Sequence, residues 1–170
     1  MSKTAEQSFL ALLDEHKAIL FKIASSYCPS AAEREDLVQE MILQLWRSYS
    51  RFDPLQRFST WMYRVALNVA ISFYRNQRRR PRTRPLDEGA VLELSVSSTT
   101  ESPTDELRLL DEFMQRLSEL DRALLLLYLD DNSYEMIGDI LGISASNVGT
   151  KLGRIKLRLR QMGANHTAKE

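Results

Sequence analysis

Residues 134–160 read YEMIGDILGISASNVGTKLGRIKLRLR. Apolar residues recur at helical spacing on both sides of Gly142, so the stretch is two short helices joined by a tight turn. Ile137, Ile140 and Leu141 give the first helix its apolar face. Gly138 is small where two helix backbones must approach. Gly142 follows the last apolar residue, where a left-handed residue ends a helix without a Cβ penalty. Ile143 fills the space under the turn, and Ser144 or Ser146 caps the next helix. Val148, Leu152, Ile155 and Leu159 then face inward. Asn147, Thr150, Lys151, Arg154 and Arg158 are left outward or flanking, with donors suited to base edges and phosphates. The second helix is basic and holds no acid. This is the build of a helix-turn-helix, whose second helix enters the DNA major groove. A basic helix that is merely solvated is the plain alternative; the agreement of glycine, cap and apolar positions argues against it.

Apolar residues recur at three and four elsewhere too, with almost no alternating pattern, so the fold class is all-α. At 170 residues and 44% hydrophobic content, one ordinary domain or two small ones can bury a core. Cys28 is the only cysteine, which excludes an internal disulfide. With two distant histidines it also argues against a zinc site. No metal and no cofactor is expected. The N-terminus MSKTAEQSF has no signal-peptide core and no apolar run could span a bilayer, so a cytoplasmic protein is expected. The formal net charge is zero, which argues against a general nucleic-acid coat. The charges are segregated, however. Acids gather at Glu33, Glu35, Asp36 and Glu40; bases gather over Arg75 to Arg84 and Lys151 to Arg160. Such a chain offers an acidic face to one partner and basic faces to another.

A first helix is predicted over 5–28 and ends at Pro29; a second covers 31–48. Tyr49 to Phe58, with Pro54, reads as a loop. Ser59 or Thr60 caps a third helix that runs to about Arg79. Residues 81–104 are rich in proline, serine and threonine and read as a flexible linker, with a short buried strand over Ala90–Leu94 as an alternative. A capping pattern from Ser102 opens a helix with a stripe of Leu107, Leu110, Phe113, Met114 and Leu117. A leucine-dense helix over Asp121–Leu129 precedes the helix-turn-helix. The expected organisation is two small helical domains: 1–80, then the linker 81–104, then 105–162, with 163–170 as a tail.

The second predicted helix has two faces. At about 100° per residue, Leu37, Val38, Met41, Ile42 and Leu45 fall together toward the core. Asp36, Gln39, Glu40, Leu43 and Arg47 fall together opposite. A leucine ringed by acid, amide and base resembles a small protein-binding patch; an ordinary solvated face is the alternative.

In the third helix, Met62, Val65, Ala66, Val69 and Phe73 make the inward stripe. Tyr63, Arg64, Asn68, Arg75 and Arg78 lie wholly or partly off it. Trp61 and Tyr63 are candidates to stack on unpaired bases while the arginines neutralise phosphates. A core role for Trp61 is the alternative.

These segments, in this order, resemble a bacterial RNA polymerase sigma factor of the extracytoplasmic-function (ECF) group. EREDLVQEMILQLWRSYSRF resembles the core-polymerase-binding helix, FSTWMYRVALNVAISFYRNQRRR the promoter-opening helix, and residues 117–160 the C-terminal domain. The resemblance implies that the chain binds core RNA polymerase and promoter DNA and takes no small-molecule substrate. The face of Asp36, Gln39, Glu40, Leu43 and Arg47 would dock on the polymerase clamp helices. The loop Ser50 to Phe58, with Arg51 and Phe52, would capture a base flipped from the −10 element. Trp61, Tyr63, Arg64 and Asn68 would support that pocket, with Arg75 and Arg78 on the same DNA. Ser146, Asn147, Thr150, Lys151, Arg154 and Arg158 would lie on the −35 element, and the linker would thread the polymerase channel. Gly149 and Gly153 stand where many relatives carry longer side chains; they remove two candidate base contacts, with close backbone approach as the alternative. An anti-sigma factor, in many relatives membrane-bound, is implied as a partner.

A standalone helix-turn-helix regulator explains the C-terminus but not residues 36–80. An enzyme is disfavoured: the chain has no nucleophile–histidine–acid cluster, metal-ligand spacing or phosphate loop.

Overall fold

The computed structural model describes residues 3–79 and 105–167, and their side chains over 5–79 and 107–164. The chain divides into two compact units, Met1–Leu92 and Glu93–Glu170. All regular structure in the described residues is helical.

The first unit holds α1 (Lys3–Tyr27), α2 (Ala31–Ser48), a 3-10 turn (Tyr49–Arg51) and α3 (Phe58–Arg79). Ser30 separates α1 from α2: its side-chain oxygen accepts the Glu33 N–H at 3.2 Å and satisfies a donor that the helix start leaves over. Glu33 in the first turn and Arg47 in the last both complement the helix dipole. The three helices pack on one another around Phe9, Leu20, Ile23, Leu37, Met41, Leu45, Met62, Ala66 and Leu67, each at most 2% exposed. The leucine, isoleucine, methionine and phenylalanine side chains contribute about 1.5–3 kcal/mol each on burial.

Two expectations for α3 need correction. It begins at Phe58, with the Arg57 carbonyl accepting the Trp61 N–H at 3.2 Å, so Ser59 and Thr60 lie inside the first turn and are not its caps. Its buried arc is Met62, Tyr63, Ala66, Leu67 and Ala70, whereas Val65, Val69 and Phe73 are half-buried. The cause is that α3 packs on two helices at once. Tyr74 meets Tyr27 of α1 at 6.0 Å between ring centroids, and Tyr63 and Leu67 lie on that same side of α3 at helical spacing.

The second unit holds α4 (Asp105–Arg116), α5 (Glu119–Leu129), α6 (Tyr134–Leu141) and α7 (Ala145–Thr167). Three serines begin three helices alike. Ser118, Ser133 and Ser144 accept the N–H of Asp121, Met136 and Asn147, each at 3.2 Å. Ser144, not Ser146, is therefore the cap of α7. Gly142 ends α6 at φ 71°, and its N–H donates to the Gly138 carbonyl at 2.8 Å. A Cβ on Gly138 would lie 2.6 Å from the Ile143 carbonyl oxygen, so the turn backbone occupies the space a side chain needs. Val148, Leu152 and Ile155 seat α7 on the core, with Leu159 half-buried. Phe113, Met114 and Leu117 are buried as expected, but Leu107 is half exposed. The helix continues to Thr167, so residues 163–167, expected as tail, are helical.

Arg122 is fully buried. Its Nε donates to the Met114 carbonyl at 3.0 Å and an Nη to the Gln115 carbonyl at 3.2 Å, so a cation closes the C-terminal turn of α4. Asp111 lies within its field. Burial pushes the Asp111 carboxyl above its ordinary value, an effect partly offset by the Gln115 side chain and the Arg122 charge. The linker 81–104, the strand considered at Ala90–Leu94 and the cap at Ser102 lie outside the described residues.

Candidate functional surfaces

Between α2 and α3 runs an open groove of about 750 Å³. Asp36, Gln39, Glu40, Leu43 and Gln44 of α2 form one wall; Val65, Asn68, Val69 and Phe73 of α3 form much of the other. Val65, Val69 and Phe73, half-buried instead of core, give this α3 wall its apolar character. Leu43 is 46% exposed beside them. The lining residues include two acids and no base, so the groove repels phosphate and suits a peptide that brings cations to its rim. Arg47 is exposed at helical spacing from Leu43 but does not line the groove. Asn68, grouped with the DNA-facing residues by the sequence reading, sits in this groove opposite the α2 acids.

Six aromatic rings gather where α1, α2 and α3 meet the loop. Phe9 lies 5.1 Å from both Trp46 and Tyr49 between ring centroids; Phe52 lies 5.9 Å from Tyr49, 5.4 Å from Phe58 and 5.1 Å from Trp61. His16 meets Phe58 edge-on at 5.5 Å. Trp61 and Tyr63 are 7% and 4% exposed, so neither ring face is open to an unpaired base. That corrects the stacking role considered for both. Trp61 instead backs Phe52, which anchors the loop, and large aromatics bury enough surface to hold such a stem. Arg51, Arg64, Arg75 and Arg78 are exposed, and Arg78 lies over the Tyr74 ring at 5.7 Å.

On α7, Ser146, Asn147, Thr150, Arg154 and Arg158 are exposed. The Thr150 hydroxyl donates to the Ser146 carbonyl at 3.1 Å, which fixes its rotamer. Lys151 differs: it is half-buried, with its Nζ 3.6 Å from an Asp121 carboxylate oxygen. The two glycines also differ. A Cβ on Gly149 would meet the Tyr134 ring at 3.3 Å, whereas Gly153 has open space around its Cβ position. The sequence reading missed Lys156. Its Nζ donates to the Tyr128 hydroxyl at 2.8 Å, and this bond raises the lysine above its ordinary value. A tyrosine 28 residues upstream leaves no local signal at a lysine in a basic run. Among the described residues no group of three or more histidines, cysteines or acids could hold a metal ion. No described helix is long and apolar enough to cross a membrane.

Two family models match the chain in order: sigma-70 region 2 over residues 12–80 and sigma-70 region 4 over 107–159. The chain is 26% identical to the ECF RNA polymerase sigma factor SigW of Bacillus subtilis, covering 95% of this chain and 91% of that one. It is 28% identical to the ECF factor SigL of Mycobacterium tuberculosis over 90% and 89%, and 26% identical to the ECF sigma-E factor of Escherichia coli over 92% and 86%. Two solved structures share the fold. CnrH in complex with the cytosolic domain of CnrY gives a TM-score of 0.68 at 20% identity, over 94% of this chain and 90% of that one. The sigma factor RpoE in complex with the anti-sigma factor NepR from Bartonella quintana gives 0.65 at 21%, over 95% and 97%. The groove and loop fall within the region 2 match and the helix-turn-helix within the region 4 match, and the relatives align over nearly their whole length: the chain belongs to the extracytoplasmic-function group of RNA polymerase sigma factors.

Proposed function

We propose that the chain binds core RNA polymerase and directs it to promoters that it selects through their −10 and −35 elements. The observation that carries this is the succession of surfaces along one chain. An acidic, leucine-centred groove and an anchored loop lie in the region 2 segment, and a basic recognition helix lies in the region 4 segment. In this reading residues 1–80 dock on polymerase and open the −10 element, 81–104 connect, and 105–162 read the −35 element. Asp36 and Glu40 meet cations of a polymerase helix, Leu43 meets its apolar ridge, and Arg47 borders the contact. Arg51, Arg64, Arg75 and Arg78 neutralise phosphates around a base held by the loop. Asn147, Thr150, Arg154 and Arg158 lie along the major groove.

Opening a promoter breaks base stacking, and the unstacked bases must be held in compensation. A chain whose formal net charge is zero as a whole binds DNA weakly by itself. Two weak readers fixed on one polymerase gain instead through effective concentration. RpoE of Bartonella quintana is bound by an anti-sigma factor in its solved complex. We infer a partner of that kind for this chain as well, competing with polymerase for the α2–α3 groove.

In vitro transcription with purified core enzyme tests the reading. The expected result is a promoter-dependent transcript that core alone does not make. Tight duplex binding by the chain alone, with no transcript from any genomic fragment, would favour a standalone regulator.

A further inference from the structure

Leu55 stands at the tip of the loop between the 3-10 turn and α3 and is 95% exposed. Single exposed leucines are ordinary on protein surfaces. Three features set this one apart. Its backbone is fixed: the Asp53 carboxylate accepts the Leu55 N–H at 3.0 Å, the Asp53 carbonyl accepts the Gln56 N–H at 3.0 Å, and Pro54 between them has a locked φ. The stem of the loop is anchored as well, because Phe52 packs against Tyr49, Phe58 and Trp61. The surroundings are cationic. Arg51 and Arg57 are exposed on either side in sequence, and Asp53, the only acid between Tyr49 and Phe58, is engaged with the turn. The side chain is therefore presented on a stiff support between two exposed arginines.

We propose that Leu55 is an unstacking wedge. It inserts between adjacent bases at the edge of the −10 element while Arg51 and Arg57 hold the flanking phosphates. Apolar side chains, leucine among them, separate base steps in this way in proteins that distort duplexes. The proposal rests on the reading that this loop meets the −10 element, and it goes further. A capture pocket holds a base that has already left the stack, whereas the wedge acts on the stack itself and so belongs to the opening step.

The test uses the full chain with core polymerase and two forms of one promoter, one fully duplex and one with the −10 region held open by non-complementary strands. The readout is the ratio of the initiation rates on the two templates. Leu55→Ala is expected to lower the duplex-to-open ratio about tenfold, while Leu55→Met, apolar and of similar size, keeps the ratio of the unsubstituted chain. An unchanged ratio in Leu55→Ala would overturn the wedge. An equal loss on both templates would also overturn it, since Leu55 would then be a contact to strands already open. If the unsubstituted chain drives no transcript from either template, the promoter-opening reading itself fails and the wedge fails with it. Affinity for core and thermal stability, measured on the same variants, keep a folding defect from imitating either result.

Discussion

The ring of Tyr134 lies against Gly149, where a Cβ would come within 3.3 Å of its Cε2 atom. The first helix of the motif thus covers a position of the second that the sequence alone offers to DNA. Gly149 belongs to the packing inside the helix-turn-helix, and no base contact is lost there by its being glycine.

The glycines of this unit therefore separate by surroundings. Gly153→Ala adds helix propensity in open space and is expected to stabilise by about 0.5–1 kcal/mol. Gly142→Ala, at φ 71°, is expected to cost about 1–2 kcal/mol. Gly138→Ala forces the turn backbone to shift and should cost about 2–3 kcal/mol. Urea denaturation ranks the three, and a Gly138→Ala variant as stable as its parent would contradict the close approach.

Leu43→Ala combined with Glu40→Ala is expected to weaken binding to core polymerase at least tenfold, about 1.4 kcal/mol, with no change in melting temperature, because both side chains are exposed. Phe73→Ala is expected to weaken it too, since Phe73 lines the opposite wall. Titration of labelled core measures both. Unchanged affinity in the double variant would remove the groove from the polymerase interface.

Trp61 and Arg64 are three residues apart and should behave oppositely. Trp61→Ala empties a site in the aromatic cluster and is expected to destabilise the first unit by about 3–5 kcal/mol. Arg64→Ala is expected to leave stability within about 0.5 kcal/mol and to weaken promoter binding by the holoenzyme. Calorimetry and filter binding on the same two proteins decide the matter. Loss of DNA binding by Trp61→Ala without loss of stability would restore the stacking role.

Arg122→Met takes the guanidinium donors from the Gln115 carbonyl and from the Met114 carbonyl, which keeps only the Leu117 N–H, and is expected to cost about 3 kcal/mol. Asp111 makes a pH-dependent counterpart. Its folded pKa is raised, so the folded chain holds the proton more tightly than the unfolded chain. The contribution of this group to stability accordingly falls as pH rises from the ordinary carboxylate range through the raised value, and stays low above it. Asp111→Asn is expected to gain stability relative to its parent as pH is raised from about 3.5 to 7. An advantage that shrinks over that range would reverse the sign argued from burial.

The parts of the fold legible in the sequence are those with local chemistry. Pro29 and Ser30 mark the α1–α2 junction, Gly142 marks the end of α6, and period alone places Leu37, Met41 and Leu45 in the core. The orientation of α3 was not legible, because a helix gripped by two neighbours buries a wider arc than one stripe shows. The groove was half legible for the same reason: its α2 wall follows from Asp36, Glu40 and Leu43, while its α3 wall was counted as core. Pairings across distance, such as Lys156 with Tyr128, leave no trace in either partner's neighbourhood.

Asp121, at the start of α5, holds Lys151 of the recognition helix at 3.6 Å, and both side chains are at most a third exposed. A lysine with a carboxylate against it has little charge left to trade with DNA. In the proposed −35 contact, Arg154 and Arg158 would release counterions from the phosphates, and Lys151 would release none until Asp121 lets it go. Each phosphate neutralised contributes about 0.9 to the slope of log affinity against log salt, so in that contact the pair would withhold one such increment. Contact with the −35 element should fade less with rising salt than the formal charge of the helix would dictate. Asp121→Asn, by freeing the lysine, should trade that tolerance for stronger binding in dilute buffer.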